Sequence, residues 1–225
     1  MTIENNLIKV RASLPTGVQL VAVSKTKSNE EIMEAYRAGQ RIFGENKVQE
    51  LVRKWDSLPK DIEWHFIGHL QSNKVRSIAP FISMVHAVDS LKILKTINEE
   101  GQRAGRIIPC LLQFHIAGEE SKYGFLPEAA AELFSMTDLS ELLNVAISGV
   151  MGMATFTEDI AQIRHEFSTL QGLFNQLKAA FFQGNDNFRE ISMGMSQDYL
   201  LAIENGSTLV RIGSTIFGER CFAGQ

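Results

Sequence analysis

Apolar positions along this chain switch repeatedly between two patterns. Short runs rich in Val, Ile, Leu, Phe and Ala fall at 19–25, 41–46, 63–69, 84–89, 108–116, 144–153, 189–195 and 208–213. Between them, apolar residues recur every three or four positions. Examples are "NEEIMEAYRAG", "NKVQELVRKWDSL", "SNKVRSIAP", "SLKILKTINEEGQRAG", "PEAAAELFSMTDLSELL", "EDIAQIRHEFSTLQGLFNQLKAAFF" and "SQDYLLAIENG". The first pattern predicts strands and the second amphipathic helices. Cap-type residues open several helices, at Ser28-Asn29, Ser72-Asn73 and Asp89-Ser90, and Gly39, Gly105 and Gly206 close others. A further helix, from Ile3 to Leu14, precedes the first strand and stops at Pro15.

Strand–helix repetition eight times over implies parallel strands joined by helical crossovers. The runs are apolar on both faces, which suits strands wrapped in helices. Open sheets of this kind usually stop at about five to seven strands, whereas eight close into a barrel. The predicted fold is α/β: a single (β/α)8 TIM barrel with an extra N-terminal helix, one domain over residues 1–225. Phe167, Leu170, Phe174 and Leu177 form the stripe by which the long helix packs on the sheet. Met151, Met153, Met193 and Met195 read as core filler, and Asn98-Glu99-Glu100 as a solvated helix face.

Composition narrows the function. With 225 residues, 44% hydrophobic and 21% charged, the chain can bury a core without disulfides or structural metal. A net charge of −4, with nothing more basic than Arg53-Lys54, excludes a phosphate-binding stripe, so no nucleic-acid partner is expected. No segment nears the ~18 apolar residues of a membrane span, and the first residues lack a signal-peptide core. The two cysteines, Cys110 and Cys221, form no CxxC and suit a reducing compartment. A cytoplasmic protein without a membrane partner is the expectation.

In such barrels chemistry gathers where strands end. The run "LVAVSKTKS" ends by delivering Lys25, in phase with Val21 and Val23. Asn46, His69, Asp89 and Met153 close further runs, Ser192, Met195 and Ser196 surround the seventh exit, and Arg211 and Gly213 finish the eighth. Gly194 and Gly213 allow close approach of backbone N–H groups, and a helix start follows, so the last two loops suit a phosphate. Lys25 sits across the mouth, where burial among cations favours the free amine that attacks an aldehyde. Phosphate on one side and an imine-forming lysine on the other describe pyridoxal 5′-phosphate.

Other readings of the same residues stay open. Lys25 could snorkel to water, and Arg211 could pair with a carboxylate such as Glu45. His65 and His69 have same-face spacing that suits either a metal or a hydrogen-bonded barrel histidine. With no third matched ligand, no metal site is assigned.

The motifs "AVSKTK", "FGENKVQE", "WHFIGHLQSNK", "VHAVDS", "GEESKYG", "GVMGM", "SMGMSQD" and "GSTLVRIGSTIFGER" resemble, in order over about residues 20–220, the YggS/PROSC family of pyridoxal-phosphate homeostasis proteins. The resemblance implies the fold type III barrel shared with the N-terminal domain of alanine racemase. It implies that Lys25 forms the internal aldimine with pyridoxal 5′-phosphate. It places Arg211 opposite the pyridine nitrogen, which that charge keeps unprotonated. Ser196, Gly213 and Ser214 match the phosphate-binding positions, Asn46 lies near the cofactor, and Met153 replaces a ring-stacking histidine of the racemase. At the fifth strand "FHIAGE" departs from the family's "VNISGE", which leaves Phe114 and His115 without assigned roles. Lys74 and Lys122 are secondary candidates for a second cofactor molecule.

Two function classes follow: a racemase or decarboxylase, or a protein that stores or delivers the cofactor. Racemisation needs bases on both faces of the substrate α-carbon, one of them Lys25. By resemblance, racemases take the other from a tyrosine on an additional domain of a partner subunit. This chain ends soon after Arg211, and its tyrosines, Tyr36, Tyr123 and Tyr199, close no predicted strand. The expectation is therefore a monomeric carrier or regulator with no catalytic residue, whose partners are the cofactor and apoenzymes that depend on it.

Overall fold

The computed structural model describes residues 2–118, 123–130, 134 and 139–219. Eight parallel strands close into a barrel in chain order: β1 (Gln19–Val23), β2 (Ile42–Glu45), β3 (Glu63–Phe66), β4 (Met84–Val88), β5 (Ile108–Gln113), β6 (Val145–Met151), β7 (Glu190–Ser192) and β8 (Leu209–Ile212). The ring shuts where β8 pairs with β1, Val21 opposite Arg211. Each strand lies inside its predicted run and is shorter than it. The residues left over at the C-terminal ends are rim loops, and the polar side chains gather there.

Around the barrel run α1 (Ile3–Ala12), α2 (Asn29–Arg37), α3 (Val48–Ser57), α4 (Val75–Ile78), α5 (Leu91–Ala104), α6 (Ile160–Phe181), α7 (Tyr199–Glu204) and α8 (Ser214–Phe217). Ser28 opens α2 with a capping box: its hydroxyl accepts from Glu31 N, and Glu31 accepts from Ser28 N. Ser90 caps α5, which ends at Gly105 in the left-handed conformation. Ser72-Asn73 is not a cap; it lies in a 3-10 turn (Ser72–Lys74) that runs into α4. The described parts of "PEAAAELFSMTDLSELL" include two 3-10 turns, Pro127–Ala129 and Leu139–Glu141, and the rest lies outside the described residues. Among the described residues no helix is long and apolar enough to cross a membrane.

The extra N-terminal helix has a structural task. Among the described residues after β8 the helix is the one-turn α8, and α1 bridges it to α2 with Leu7 and Val10 buried. Asn6 Nδ2 donates to Ile216 O (2.9 Å) and Arg11 donates to Ala38 O (2.8 Å), which ties the helix to both neighbours.

The main core lies between barrel and helices and includes Phe43, Trp64, Phe66, Phe114 and Phe188. The predicted stripe of α6, from Phe167 to Leu177, is buried in it, and Phe174 and Phe182 stack on Phe188 at 5.0 and 4.1 Å. A smaller cluster of Val21, Leu111, Met151 and Leu209 fills the middle of the barrel. One pleat further along the strands, the inward residues turn polar: His86, Ser192 and Arg211. Gly149 supports this floor. It sits at a register shift between β5 and β6 with φ 151°, where a Cβ would collide with the Glu190 carbonyl.

Two further expectations hold only in part. In "NEE" only Glu99 faces water: Asn98 Oδ1 accepts from Asn144 N (2.8 Å), and Glu100 is buried beside Arg103. Of the four methionines, Met151 and Met193 are core, whereas Met153 and Met195 line the cavity below. Cys110 is buried and Cys221 lies outside the described residues.

Candidate functional site

A cavity of about 580 Å³ opens at the C-terminal ends of the strands. Lys25, Asn46 and Met153 line it, and so do Ser196, Arg211, Gly213 and Ser214. The seven residues that the sequence assigned to pyridoxal 5′-phosphate thus border one space.

Lys25 follows β1 and is half-buried. Thr26 beside it adopts a left-handed φ of 65°, which a β-branched residue takes only when its surroundings impose it. Here the imposing group is a buried cluster behind the strand. Lys54 Nζ donates to Ser24 O (2.8 Å), Glu45 Oε1 (2.7 Å) and Glu50 Oε1 (2.7 Å), and Glu50 accepts from Thr26 N (2.6 Å). Ser24 Oγ donates to Glu45 Oε1 (2.5 Å). Burial pushes the Glu45 carboxyl up, and Lys54 and Ser24 oppose that push. Glu45 therefore belongs to α3 and β1 and is not the partner of Arg211. Its neighbour Asn46 faces the cavity and packs on Gly68, where a Cβ would meet the Asn46 backbone.

Across the mouth, Ser196 Oγ accepts from Gly213 N (3.2 Å). A Cβ at Gly213 would press on Val23 O and Cβ, 3.2 and 3.3 Å away, so a side chain fits there only if β1 gives by a few tenths of an ångström. The N–H groups of Ser214 and Thr215, in the first turn of α8, have no acceptor within that helix. Gly194 is needed for another reason than the one expected. Its φ is 92°, and a Cβ would strike Ala202 and Tyr199, so it serves the packing of α7.

Arg211 is 3% exposed and ends in the cavity. Nη1 donates to Ser192 Oγ (2.5 Å) and Nη2 to Gly152 O (3.0 Å). Among the described residues it makes no ion pair with a carboxylate. Burial lowers its pKa to about 10, with Asp198 opposing, so it stays charged at neutral pH. Ser192 Oγ lies 2.9 Å from His86 Nδ1, and His86 Nε2 lies 2.9 Å from His65 Nδ1. His65 is therefore a hydrogen-bonded barrel histidine. His69 parts company with it: its Nδ1 contacts Asp89 Oδ2 (2.8 Å) and its ring stacks on Tyr123 at 4.1 Å.

Phe114 belongs to the core and the backbone N of His115 pairs with Phe125 O (3.0 Å), and neither residue lines the cavity. Lys74, a candidate for a second cofactor molecule, is half-buried away from the cavity, and Lys122 lies outside the described residues. Sequence reasoning missed Lys27, Gln113 and Tyr123, which also line the space. Lys27 and Gln113 were legible, being in phase with Lys25 and Leu111. Tyr123 was not, because it lies outside every predicted strand and reaches the cavity with its carbonyl held by Gln113 Nε2 (2.8 Å).

These residues fit a phosphorylated pyridine aldehyde. The rim offers an amine, the walls include Val23, Ile67 and Met153, the floor holds a buried guanidinium that makes no ion pair among the described residues, and the far side presents N–H groups around a glycine. Fold and site together define the class as a racemase-like barrel. Residues 1–221 match the family model described as "Alanine racemase, N-terminal domain". The chain is 42% identical over 215 residues to the pyridoxal phosphate homeostasis protein of Vibrio alginolyticus, covering 93% of this chain and 89% of that one. It is 40% identical to the Homo sapiens protein of the same name, with 91% and 78% covered. PipY of Synechococcus elongatus, 36% identical, superposes with a TM-score of 0.89 without PLP and 0.85 with PLP bound, over 96% of this chain and 100% of that one. The alanine racemase of Clostridium difficile shares the fold at 14% identity, with a TM-score of 0.77 over 99% of this chain and 57% of that one. The chain belongs to the pyridoxal phosphate homeostasis protein family.

Proposed function

We propose that this protein binds pyridoxal 5′-phosphate in the barrel mouth and serves the homeostasis of that cofactor, holding it without turnover. The observation that carries the reading is the convergence of Lys25, Arg211 and the Ser196–Gly213–Ser214 turn on one cavity. When bound, the cofactor supplies an aldehyde that condenses with an amine. Lys25 provides that amine, held in place by the Lys54 cluster. Arg211 sets a fixed positive charge against the ring nitrogen, and Ser196, Gly213 and Ser214 receive the phosphate. Asn46 and Met153 flank the ring.

Several features favour a carrier over a racemase or decarboxylase. Relatives about 40% identical over nine-tenths of the chain bear the homeostasis name. At the mouth, Phe156 is 77% and Tyr123 57% exposed, so the rim stands in water. Proton removal from an amino-acid carbon depends on a dry, preorganised site. An open rim instead eases passage of the cofactor to apoenzymes, and a monomer suffices for that task.

Borohydride reduction of the cofactor-loaded protein, followed by peptide mass mapping, tests the binding half. The expected label is on Lys25; a protein that acquires no label in excess cofactor overturns it. Incubation of the loaded protein with a panel of L-amino acids tests the carrier half. Sustained formation of D-isomer or amine establishes the enzyme reading instead.

A further inference from the structure

We propose that His86, acting through Ser192 and backed by His65, is a positioning residue that fixes where Arg211 presents its charge to the cavity. The inference deepens the reading above, since it rests on Arg211 facing the bound cofactor. It concerns four side chains from four strands, β3, β4, β7 and β8, that meet inside the barrel.

The direction of the chain follows from what each group can do. A guanidinium only donates, so Ser192 Oγ accepts from Arg211 Nη1 at 2.5 Å. The single proton of Ser192 then needs an acceptor, and His86 Nδ1 lies 2.9 Å away. That contact places the proton of a neutral His86 on Nε2, which donates to His65 Nδ1 at 2.9 Å. His65 in turn carries its proton on Nε2. Every bond runs one way, from arginine to serine to histidine to histidine.

Burial makes the order binding. Ser192 and His86 are wholly buried and His65 nearly so, so water does not replace a lost partner. Neutral imidazoles are also required beside the guanidinium, because a second positive charge would repel it. The barrel interior supplies that neutrality: burial lowers the pKa of His65 to about 3 and holds that of His86 well below its ordinary value, helped by His65 and Arg211. With Nη1 held by Ser192 on β7 and Nη2 by Gly152 O, one residue past β6, the guanidinium is fixed at two points.

The test begins on unliganded full-length protein with ¹⁵N-labelled histidine. His86 is expected to show a protonated Nε2 and a bare Nδ1, unchanged from about pH 8 to about pH 5. A proton on Nδ1, or titration in that range, overturns the proposal. Pyridoxal phosphate is then titrated into His86→Phe, Ser192→Ala and the double variant. Each single change is expected to weaken binding about tenfold and to move the visible absorbance band, with less than additive loss in the double. His86→Gln, whose amide oxygen accepts from Ser192, is expected to recover part of both. A lowered melting temperature with unchanged affinity and band overturns the proposal, and Ser192→Ala alone decides the matter should His86→Phe fail to fold. If the unaltered protein binds no cofactor, the cofactor reading falls, whereas the histidine tautomers still decide the chain.

Discussion

Lys54 Nζ lies 2.7 Å from Glu45 Oε1 in a compartment that excludes water from both side chains. The pair sits behind β1, on the opposite side of the barrel wall from the cavity, and it holds the Ser24 carbonyl one residue before Lys25. Removing the ammonium leaves a carboxylate buried without its counter-charge, which typically costs about 3–5 kcal/mol. Lys54→Met is therefore expected to lose stability on that scale in urea denaturation, and Lys54→Met with Glu45→Met to regain a large part of it. Because Glu50 also loses the ammonium that steadies it at Thr26 N, the single variant should reduce borohydride labelling of Lys25 as well.

Acid should loosen the fold through the barrel histidines. The ordinary value of 6.5 stands for the unfolded chain, whereas native His65 titrates at about 3 and His86 well below 6.5, both because burial disfavours the charged ring. Between those limits the unfolded state binds protons that the native state refuses. Stability contributed by neutral burial is thus complete above about pH 6.5 and falls as pH drops, by up to about 1.4 kcal/mol per unit per histidine. Denaturation midpoints measured from pH 7 to 4 should fall for the unaltered protein and fall less steeply for His65→Gln. A flat profile would mean that the histidines are charged in the native state.

The barrel was readable because its signal is repetitive. Eight apolar runs and the helices between them each report the same two periods, so errors at single ends do not accumulate. The rim was readable for a related reason: alternation carries Lys25, Asn46 and Arg211 inward from residues whose burial is plain. What escaped was whatever depends on partners distant in sequence. Lys54 reads only as half of the short basic run Arg53-Lys54, yet it is buried, because Glu45 and Glu50 both lie within reach. His86 reads as one polar residue in an apolar strand, and only the barrel brings it to Ser192, 106 residues later. Glu100 was misplaced because its burial depends on how α5 lies on the sheet, which the helical period alone does not specify.

Cys110 offers a check on the interior. Burial drives its thiol pKa far above the ordinary value, and its Sγ faces Ile108 O at 3.5 Å. Reactivity follows the thiolate, so this cysteine should resist alkylation in the native protein and react once denaturant opens the barrel. Peptide mapping after a timed iodoacetamide pulse distinguishes it from Cys221. Rapid native labelling of Cys110 would mean that the β4–β5–β6 wall opens far more easily than its packing implies.

Lys25→Ala and Gly213→Val separate the two ends of the proposed ligand. The first removes the amine and leaves the opposite turn intact, so reducible attachment and the visible band should vanish while weak reversible binding persists. The second drives side-chain atoms toward Val23 O and Cβ, already 3.2 and 3.3 Å from an added Cβ, and displaces the turn in which Gly213 N meets Ser196 Oγ. The amine is untouched there, so labelling of Lys25 should survive, but only at cofactor concentrations raised about tenfold or more, as expected when a charged group loses its donors. Equilibrium dialysis gives the affinities and borohydride trapping the attachment. If Gly213→Val binds as tightly as the unaltered protein, the phosphate is held elsewhere in the mouth, and Lys27 with its Nζ at Phe217 O becomes the neighbour to test.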